Sequence, residues 1–151
     1  MERVFAGPLA VFTPVEIRLV GNSSEEPLWD ELVRRHHYLG YRRLLGHRLK
    51  YLAFIRDQPV AALSFSGAAL MVRARDRFIG WNPEQRRAHL KSIANNSRFL
   101  ILPSVRIPHL ASHVLGRCVR RARHDWPQRS GHPLWIVETF VDPERYRGTS
   151  Y

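Results

Sequence analysis

Three carboxylates near the ends of apolar stretches are the first residues in this 151-residue chain that could do chemistry together. Asp76 lies in RDRFIGW, Glu138 lies in IVETFVD, and Asp142 ends that second segment. Because Mg²⁺ prefers carboxylate oxygens, the three residues form a candidate catalytic site for phosphodiester cleavage. Glu138 and Asp142 stand about 13 Å apart along an extended strand, too far for one ion. Since arginines flank Asp76, ion pairing with arginine is the alternative that we favour.

A second candidate site is the segment PSVRIPHLAS, which follows the apolar run FLIL and leads into an arginine-rich helix. A tight turn at a helix N-terminus can hold phosphate through backbone N–H groups that no Cβ obstructs. Pro108 has no N–H, and His109 carries a side chain where the backbone should approach the ligand. We therefore expect a phosphate-binding scaffold that no longer binds a coenzyme, although Arg106 could still bind an anion.

The charge of the chain favours a polyanionic partner. The formal net charge is +11, and all of the 24 basic residues except Lys50 and Lys91 are arginines. Arginine binds phosphate through two parallel hydrogen bonds and stacks on flat rings, so we expect nucleic-acid binding. The residues expected to contact nucleic acid are Arg117, Arg120, Arg121, Arg86, Arg87, Lys91, Arg34 and Arg35, with Arg42 and Arg43 close to the last two.

Aromatic residues lie between these arginines. The candidates for stacking on bases are Phe78, Trp81, Tyr41 and Trp126. The alternative, which we favour for the two tryptophans, is that Trp81 and Trp126 anchor the core.

The remaining reactive side chains predict little chemistry. His109 and His113 stand four residues apart on one predicted helix and could chelate zinc, but a third ligand is not evident. Cys118 falls on the apolar side of that helix, so we expect a buried side chain rather than a nucleophile. We expect no bound metal and no cofactor, with acetyl-coenzyme A and Mg²⁺ as the alternatives.

The elements that must position these residues are predicted from periodicity and capping. Strands are expected at 15–20, 50–55, 59–65, 99–102 and 134–141, and helices at 23–40, at 81–96 and after Pro108. Asn82 is the expected N-cap of the second helix, with the Asn95–Asn96 pair at its end. The order predicts one mixed α/β domain over 1–151, with a partly antiparallel sheet flanked by helices. The single cysteine and the lack of a membrane-length apolar segment predict a cytoplasmic protein.

Several segments resemble the Druantia anti-phage system protein A family. They are HHYLG, LKYLAFI, RDRFIGW, NNSRFLILPSVRIPHLAS, DW, ETFVD and GTSY, in the order of the family, over roughly 28–151. The resemblance implies a component of a prokaryotic defence system that works beside a large helicase-like protein. Family members usually continue past the position of Tyr151, so we expect a short or truncated member.

The order strand, PSVRIPHLAS, helix and strand also resembles the Gcn5-related N-acetyltransferase fold. In that alignment Arg106 and Ala111 match the first and last positions of the coenzyme A turn, while His109 replaces its middle glycine. The resemblance implies that Glu138 could act as general base, with Tyr146 or Tyr151 as the acid.

Together these observations predict a nucleic-acid-binding or nucleic-acid-sensing defence component on an acetyltransferase-like scaffold with a degenerate coenzyme A loop. The alternatives are an acyl-coenzyme-A-dependent N-acyltransferase, a Mg²⁺-dependent nuclease, and a module that docks onto an acidic protein. A homodimer is also possible if a sheet edge is left unpaired.

Overall fold

The computed structural model describes residues 5–37 and 46–140, which form seven strands and five helices. The strands are β1 (Phe5–Ala6), β2 (Glu16–Leu19), β3 (Arg48–Ile55), β4 (Gln58–Gly67), β5 (Ile93–Ile101), β6 (Val105–Arg106) and β7 (Ile136–Glu138). The helices are α1 (Leu9–Phe12), α2 (Glu26–His36), α3 (Arg73–Ile79), α4 (Pro83–His89) and α5 (Leu110–Ser130), with a 3₁₀ turn at Leu90–Ser92.

The main sheet has five strands in the order β2-β3-β4-β5-β7. Its first four strands pair antiparallel, whereas β5 and β7 pair parallel. Helix α5 connects those two parallel strands. The predicted mixed, partly antiparallel sheet is therefore confirmed. The short strands β1 and β6 form a separate parallel pair beside it, which the sequence did not predict.

The hairpin of β3 and β4 forms the centre of the sheet, as predicted. Both strands are apolar runs that are buried over almost their whole length. The turn between them consists of Arg56 and Asp57, both with positive φ, at 48° and 62°. Two consecutive residues of this kind make the tight turn whose twist matches paired strands.

Helices α2 and α5 cover opposite faces of the sheet. Lys50 of β3 donates a hydrogen bond of 2.7 Å to Asp30 of α2, whereas its neighbour Tyr51 donates one of 2.7 Å to Asp125 of α5. Consecutive residues of a strand project to opposite faces, so the two helices must lie on different sides. The core therefore has two layers, one under each helix.

Helix α4 begins as predicted but ends early. The Asn82 side chain accepts from the Gln85 backbone, and the Gln85 side chain accepts in return, which completes a capping box. The predicted end at Asn95 and Asn96 is wrong, because both residues belong to β5. A bulge in the pairing of β4 with β5 lets the Asn96 amide donate to the carbonyls of Ser64 and Arg98 at 2.9 and 3.1 Å. The sheet thereby satisfies the hydrogen-bond donors of an asparagine, a residue that is typical of helix ends.

Helix α5 packs through an apolar face that includes Cys118. The residues buried along it are Leu110, Val114, Leu115, Cys118, Ala122, Asp125 and Trp126. Burial raises the pKa of the Cys118 thiol to about 12, and the prediction of a buried cysteine is confirmed. The core position of Trp126 is confirmed as well, whereas that of Trp81 is wrong, because Trp81 is half-buried and lies outside the core. Over the described ranges, no helix has the length and apolar character needed to cross a membrane.

Candidate functional site

The structure brings two of the three predicted carboxylates together around Arg75. The Arg75 guanidinium donates to Asp76 at 3.1 Å and to Glu138 at 3.0 Å. Its remaining bonds go to the carbonyls of Ala69 and Leu70 at 2.7 and 3.1 Å. Arg75 is only 8% exposed, so one buried cation joins α3 to β7. Asp142 lies outside the described residues.

Asp76 is the most heavily used acceptor of this cluster. Its two oxygens accept bonds from the Trp81 indole at 2.9 Å, from the Val72 backbone at 3.3 Å, and from Arg75 and Arg86. Burial would raise the pKa of Asp76, but the hydrogen bonds from Trp81 and Arg75 outweigh it and the pKa lies below its ordinary value. A carboxylate held in this way acts as a structural acceptor.

A metal ion would have to compete with arginine at this place. Among the described residues, no group of three or more His, Cys, Asp or Glu side chains is arranged to hold a metal ion. Mg²⁺ needs carboxylate oxygens, and Arg75 already lies between Asp76 and Glu138. The nuclease site, whose third carboxylate is outside the described residues, stays a prediction.

The turn before α5 is closed by its own backbone. The Leu110 N–H donates to the Ile107 carbonyl at 3.2 Å, and His109 has a φ of 66°. Proline in the second position and a positive φ in the third are the features of a type II turn. One of the N–H groups that could have faced a phosphate is therefore used inside the turn. Arg106 is exposed beside it in β6, and Ala111 is half-buried.

Helix α5 carries a line of basic side chains along one of its sides. The members are His113, Arg117, Arg120 and His124, which we call the α5 stripe. Their spacing of four, three and four residues places them on one side of the helix over about 16 Å. Arg120 and His124 are exposed, and Arg117 is half-buried. The Arg120 Nε–H donates to the Gly116 carbonyl of its own helix, at 3.2 Å.

Two arginines predicted to bind nucleic acid hold acceptors inside the protein. Arg121 donates to the Ile17 carbonyl at 2.8 Å and pairs with Asp125 at 3.4 Å. Arg86 pairs with Asp76 at 3.3 Å. The other predicted residues of this region, Arg87 and Lys91, are exposed. The predicted basic residues of this region therefore fall into two groups. Arg86 and Arg121 bind acceptors of the protein, whereas Arg87 and Lys91 are exposed to solvent.

The predicted residues of α2 lie on the other side of the sheet. Arg34 forms an ion pair of 2.8 Å with Glu31, and Arg35 is exposed. A nucleic acid bound along α5 would not reach α2, because the sheet separates the two helices. Arg42, Arg43 and Tyr41, which follow α2 in the sequence, lie outside the described residues.

Over residues 5–37 and 46–140, the recognised ion pairs of the acidic residues involve cations other than those of the α5 stripe. Apart from Glu84, every Asp and Glu among the described residues forms an ion pair within the protein. The cations that share these pairs are Arg18, Arg34, Lys50, Arg75, Arg86 and Arg121. The acids thus concentrate on a few cations, and the stripe keeps its positive charge.

A buried polar face under the end of α2 was not predicted. Ser64, Ser97 and Arg98 lie where β4 pairs with β5, and the two serine hydroxyls are 2.8 Å apart. Burial, and then the charge of Arg98, lower the pKa of His37 to about 4. The signal in the sequence is the polar run NNSR inside a strand, which helix periodicity concealed.

Comparison with known proteins gives one family. A family model described as Druantia protein DruA matches residues 5–151. The match begins closer to the N terminus than the segments that carried the resemblance, so it includes β1, α1 and β2. No curated protein matches the chain.

Proposed function

The chain belongs to the Druantia protein DruA family, and from that premise we propose that it is a nucleic-acid-binding component of the defence system. The family itself indicates a component of a Druantia anti-phage defence system. Nucleic-acid binding and the acetyltransferase-like scaffold are our additions. They rest on the charge distribution and on the order of the elements around α5.

The observation that carries the proposal is the α5 stripe. It combines two arginines and two histidines on a rigid helix, and no acidic side chain lies among its members. The only acidic residue of α5, Asp125, is buried and holds Tyr51 and Arg121. Its two arginines, Arg117 and Arg120, lie about one turn apart and can meet neighbouring backbone phosphates, while the four side chains together span about 16 Å of the helix. An uncompensated line of this kind also attracts polyanions over distance.

The scaffold proposal rests on β5, α5 and β7. The parallel pairing of β5 with β7 across α5 has the same order as the coenzyme-binding half of an acetyltransferase. The turn at Pro108 and His109 uses the Leu110 N–H internally, which supports a scaffold that no longer holds a pyrophosphate. Anion binding is then left to arginine side chains.

The test is the salt dependence of binding to a labelled DNA duplex, followed by fluorescence anisotropy. We expect affinity to fall steeply with salt, by about 0.9 log units per log unit of salt for each phosphate neutralised. The double variant Arg117→Gln/Arg120→Gln should lower that slope by about two such units. Absence of binding at low salt, or a flat salt dependence, would show the proposal to be wrong.

A charge-matched control is available on the opposite face. Arg34→Gln/Arg35→Gln removes the same formal charge from α2, and we expect its slope to stay close to that of the unaltered protein. A larger effect from the α2 variant would move the interface to the other side of the sheet.

We also propose a helicase-like protein as partner, on the strength of the family resemblance. Co-purification of the two expressed proteins, before and after nuclease treatment, tests this. Association that survives nuclease supports a direct contact, whereas its loss would leave nucleic acid as the link.

A further inference from the structure

An aromatic groove lies between α3, α4 and the start of β7. Its cavity measures about 310 Å³ and is open to solvent. The side chains that line it include Trp81, Gln85, His89, Trp135 and Ile136. This volume is at the small end of ligand sites, which run from roughly 300 to 1,000 Å³. It suits a flat ring system better than a whole coenzyme.

Two rings of this groove, those of His89 and Trp135, are exposed, and the Trp81 indole is half-buried. Trp135 is 60% exposed, and its backbone N–H donates to the Ser92 carbonyl at 2.8 Å. The His89 ring lies 5.1 Å from the Trp135 ring at a tilt of 43°. Trp81 forms a fixed wall, because its indole N–H is bound to Asp76. An indole that is positioned but left in water is available for stacking.

A second depression is lined by two arginines and by Asp76, the residue that accepts the hydrogen bond of the Trp81 indole. It measures about 580 Å³ and is lined by Met71, Arg73, Asp76 and Arg77. Asp76 links the two hollows, since its carboxylate holds the Trp81 indole on the groove side. Arg73 and Arg77 are exposed, so their guanidinium groups are available to phosphate.

We infer that the groove receives an unstacked base of single-stranded nucleic acid, with Arg73 and Arg77 binding the neighbouring phosphates. The inference deepens the proposed function and rests on it. Two arginines beside an aromatic hollow fit a nucleotide, which pairs a flat ring with an anion at short distance. An apolar protein segment would use the rings but would leave the two guanidinium groups without an anionic partner.

The test compares oligonucleotides that differ only in accessible bases. The probes are a ten-residue oligothymidylate, the same strand with several abasic sites, and a ten-base-pair duplex. We expect Trp135→Ala to weaken oligothymidylate binding roughly 10-fold, as one lost stacking contact does. Binding of the duplex should not change, because its bases are already stacked, and the abasic strand should bind the unaltered protein about as weakly as oligothymidylate binds the variant.

Two matched variants separate stacking from general damage. Phe140→Ala removes another exposed ring, one that follows β7 and does not line the groove, and should leave binding unchanged. Trp135→Phe keeps a ring and should recover most of the lost affinity. Equal binding of oligothymidylate by the unaltered protein and by Trp135→Ala would overturn the groove inference while duplex binding still supports the proposed function. Absence of binding to every probe at low salt would overturn both.

Discussion

Arg75 in α3 and Arg120 in α5 belong to the same residue type but have opposite surroundings. Arg75 is 8% exposed and donates to two carboxylates and two carbonyls. Arg120 is exposed and donates to one carbonyl of its own helix. The net charge counts both arginines equally. The comparison teaches that a basic composition predicts a polyanion partner only through the arginines that the protein leaves outside its own ion pairs.

The two regions also differ in local charge. Around Arg75 two cations, Arg75 and Arg86, meet two anions, Asp76 and Glu138, so the cluster is formally neutral. A buried charge needs such partners, because leaving water without them costs several kcal/mol. Arg120 of the α5 stripe is exposed to water and needs no such partner. The first region therefore stabilises the fold, whereas the exposed cation of the second is of the kind that the proposed function needs.

The largest expected effect comes from breaking the buried region. Arg75→Ala leaves Asp76 and Glu138 without their shared cation, and we expect a loss of about 3–5 kcal/mol in the free energy of unfolding. Urea denaturation followed by circular dichroism measures it. Arg120→Ala is the control and should change stability by less than about 0.5 kcal/mol. Similar losses in the two variants would remove the distinction between the regions.

The next effect comes from the titration of His37. This histidine lies near a second buried arginine, Arg98, which is 7% exposed. The pKa of His37 is about 4 in the folded protein, below the ordinary value of a histidine, so the unfolded chain takes up the proton first as the pH falls. We expect the free energy of unfolding to decrease between about pH 6.5 and 4, by at most about 3 kcal/mol. His37→Gln should flatten that part of the pH profile. A pH profile that is the same in His37→Gln and in the unaltered protein would contradict this assignment to His37.

The sheet could be predicted from the sequence because its strands are apolar runs separated by turn residues. The segments of β2, β3 and β4 follow that pattern closely. The start of β5 does not, since Asn95 and Asn96 are typical of helix ends. Its strand conformation depends on hydrogen bonds to β4, which is distant in sequence. Helix α3 was also missed, because its RARDRFI segment is held by tertiary ion pairs and has no capping side chain.

The sequence predicted which residues form the candidate site, but it did not predict which way each side chain points. The sequence identified the arginines of α4 and α5 as a group, and helical spacing places His113, Arg117, Arg120 and His124 on one line. It could not show that Arg86 turns toward Asp76, since that contact depends on how α3 and α4 pack. Trp135 was missed because a lone tryptophan before a strand carries no periodic signal.

A smaller effect sharpens the comparison within α5 itself. Arg121 is bound to Ile17 and Asp125, whereas its neighbour Arg120 is turned to solvent. We expect Arg121→Gln to cost about 1–2 kcal/mol of stability, because it removes charge-assisted hydrogen bonds to buried acceptor residues. The matched variant Arg120→Gln should cost less than about 0.5 kcal/mol and should instead lower the salt slope of binding. Thermal unfolding measures the stability of both variants, and fluorescence anisotropy measures their salt slopes. A larger stability loss in Arg120→Gln, or a larger drop in salt slope in Arg121→Gln, would contradict the expectation.

The smallest effect is a change in the pKa of His113. In the free protein this pKa lies below its ordinary value, because of burial and then the charges of Arg117 and Arg120. A phosphate backbone on the α5 stripe would neutralise those arginines and favour the imidazolium, so the pKa should rise when a duplex binds. The rise implies proton uptake, and binding should therefore strengthen as the pH falls below the pKa that His113 has in the complex. NMR titration of the histidine ring, assigned with His113→Gln, measures the pKa in both states. A His113 pKa that is unchanged in the complex would mean that the phosphates lie elsewhere, and the α5 stripe would then be a solvated face like any other.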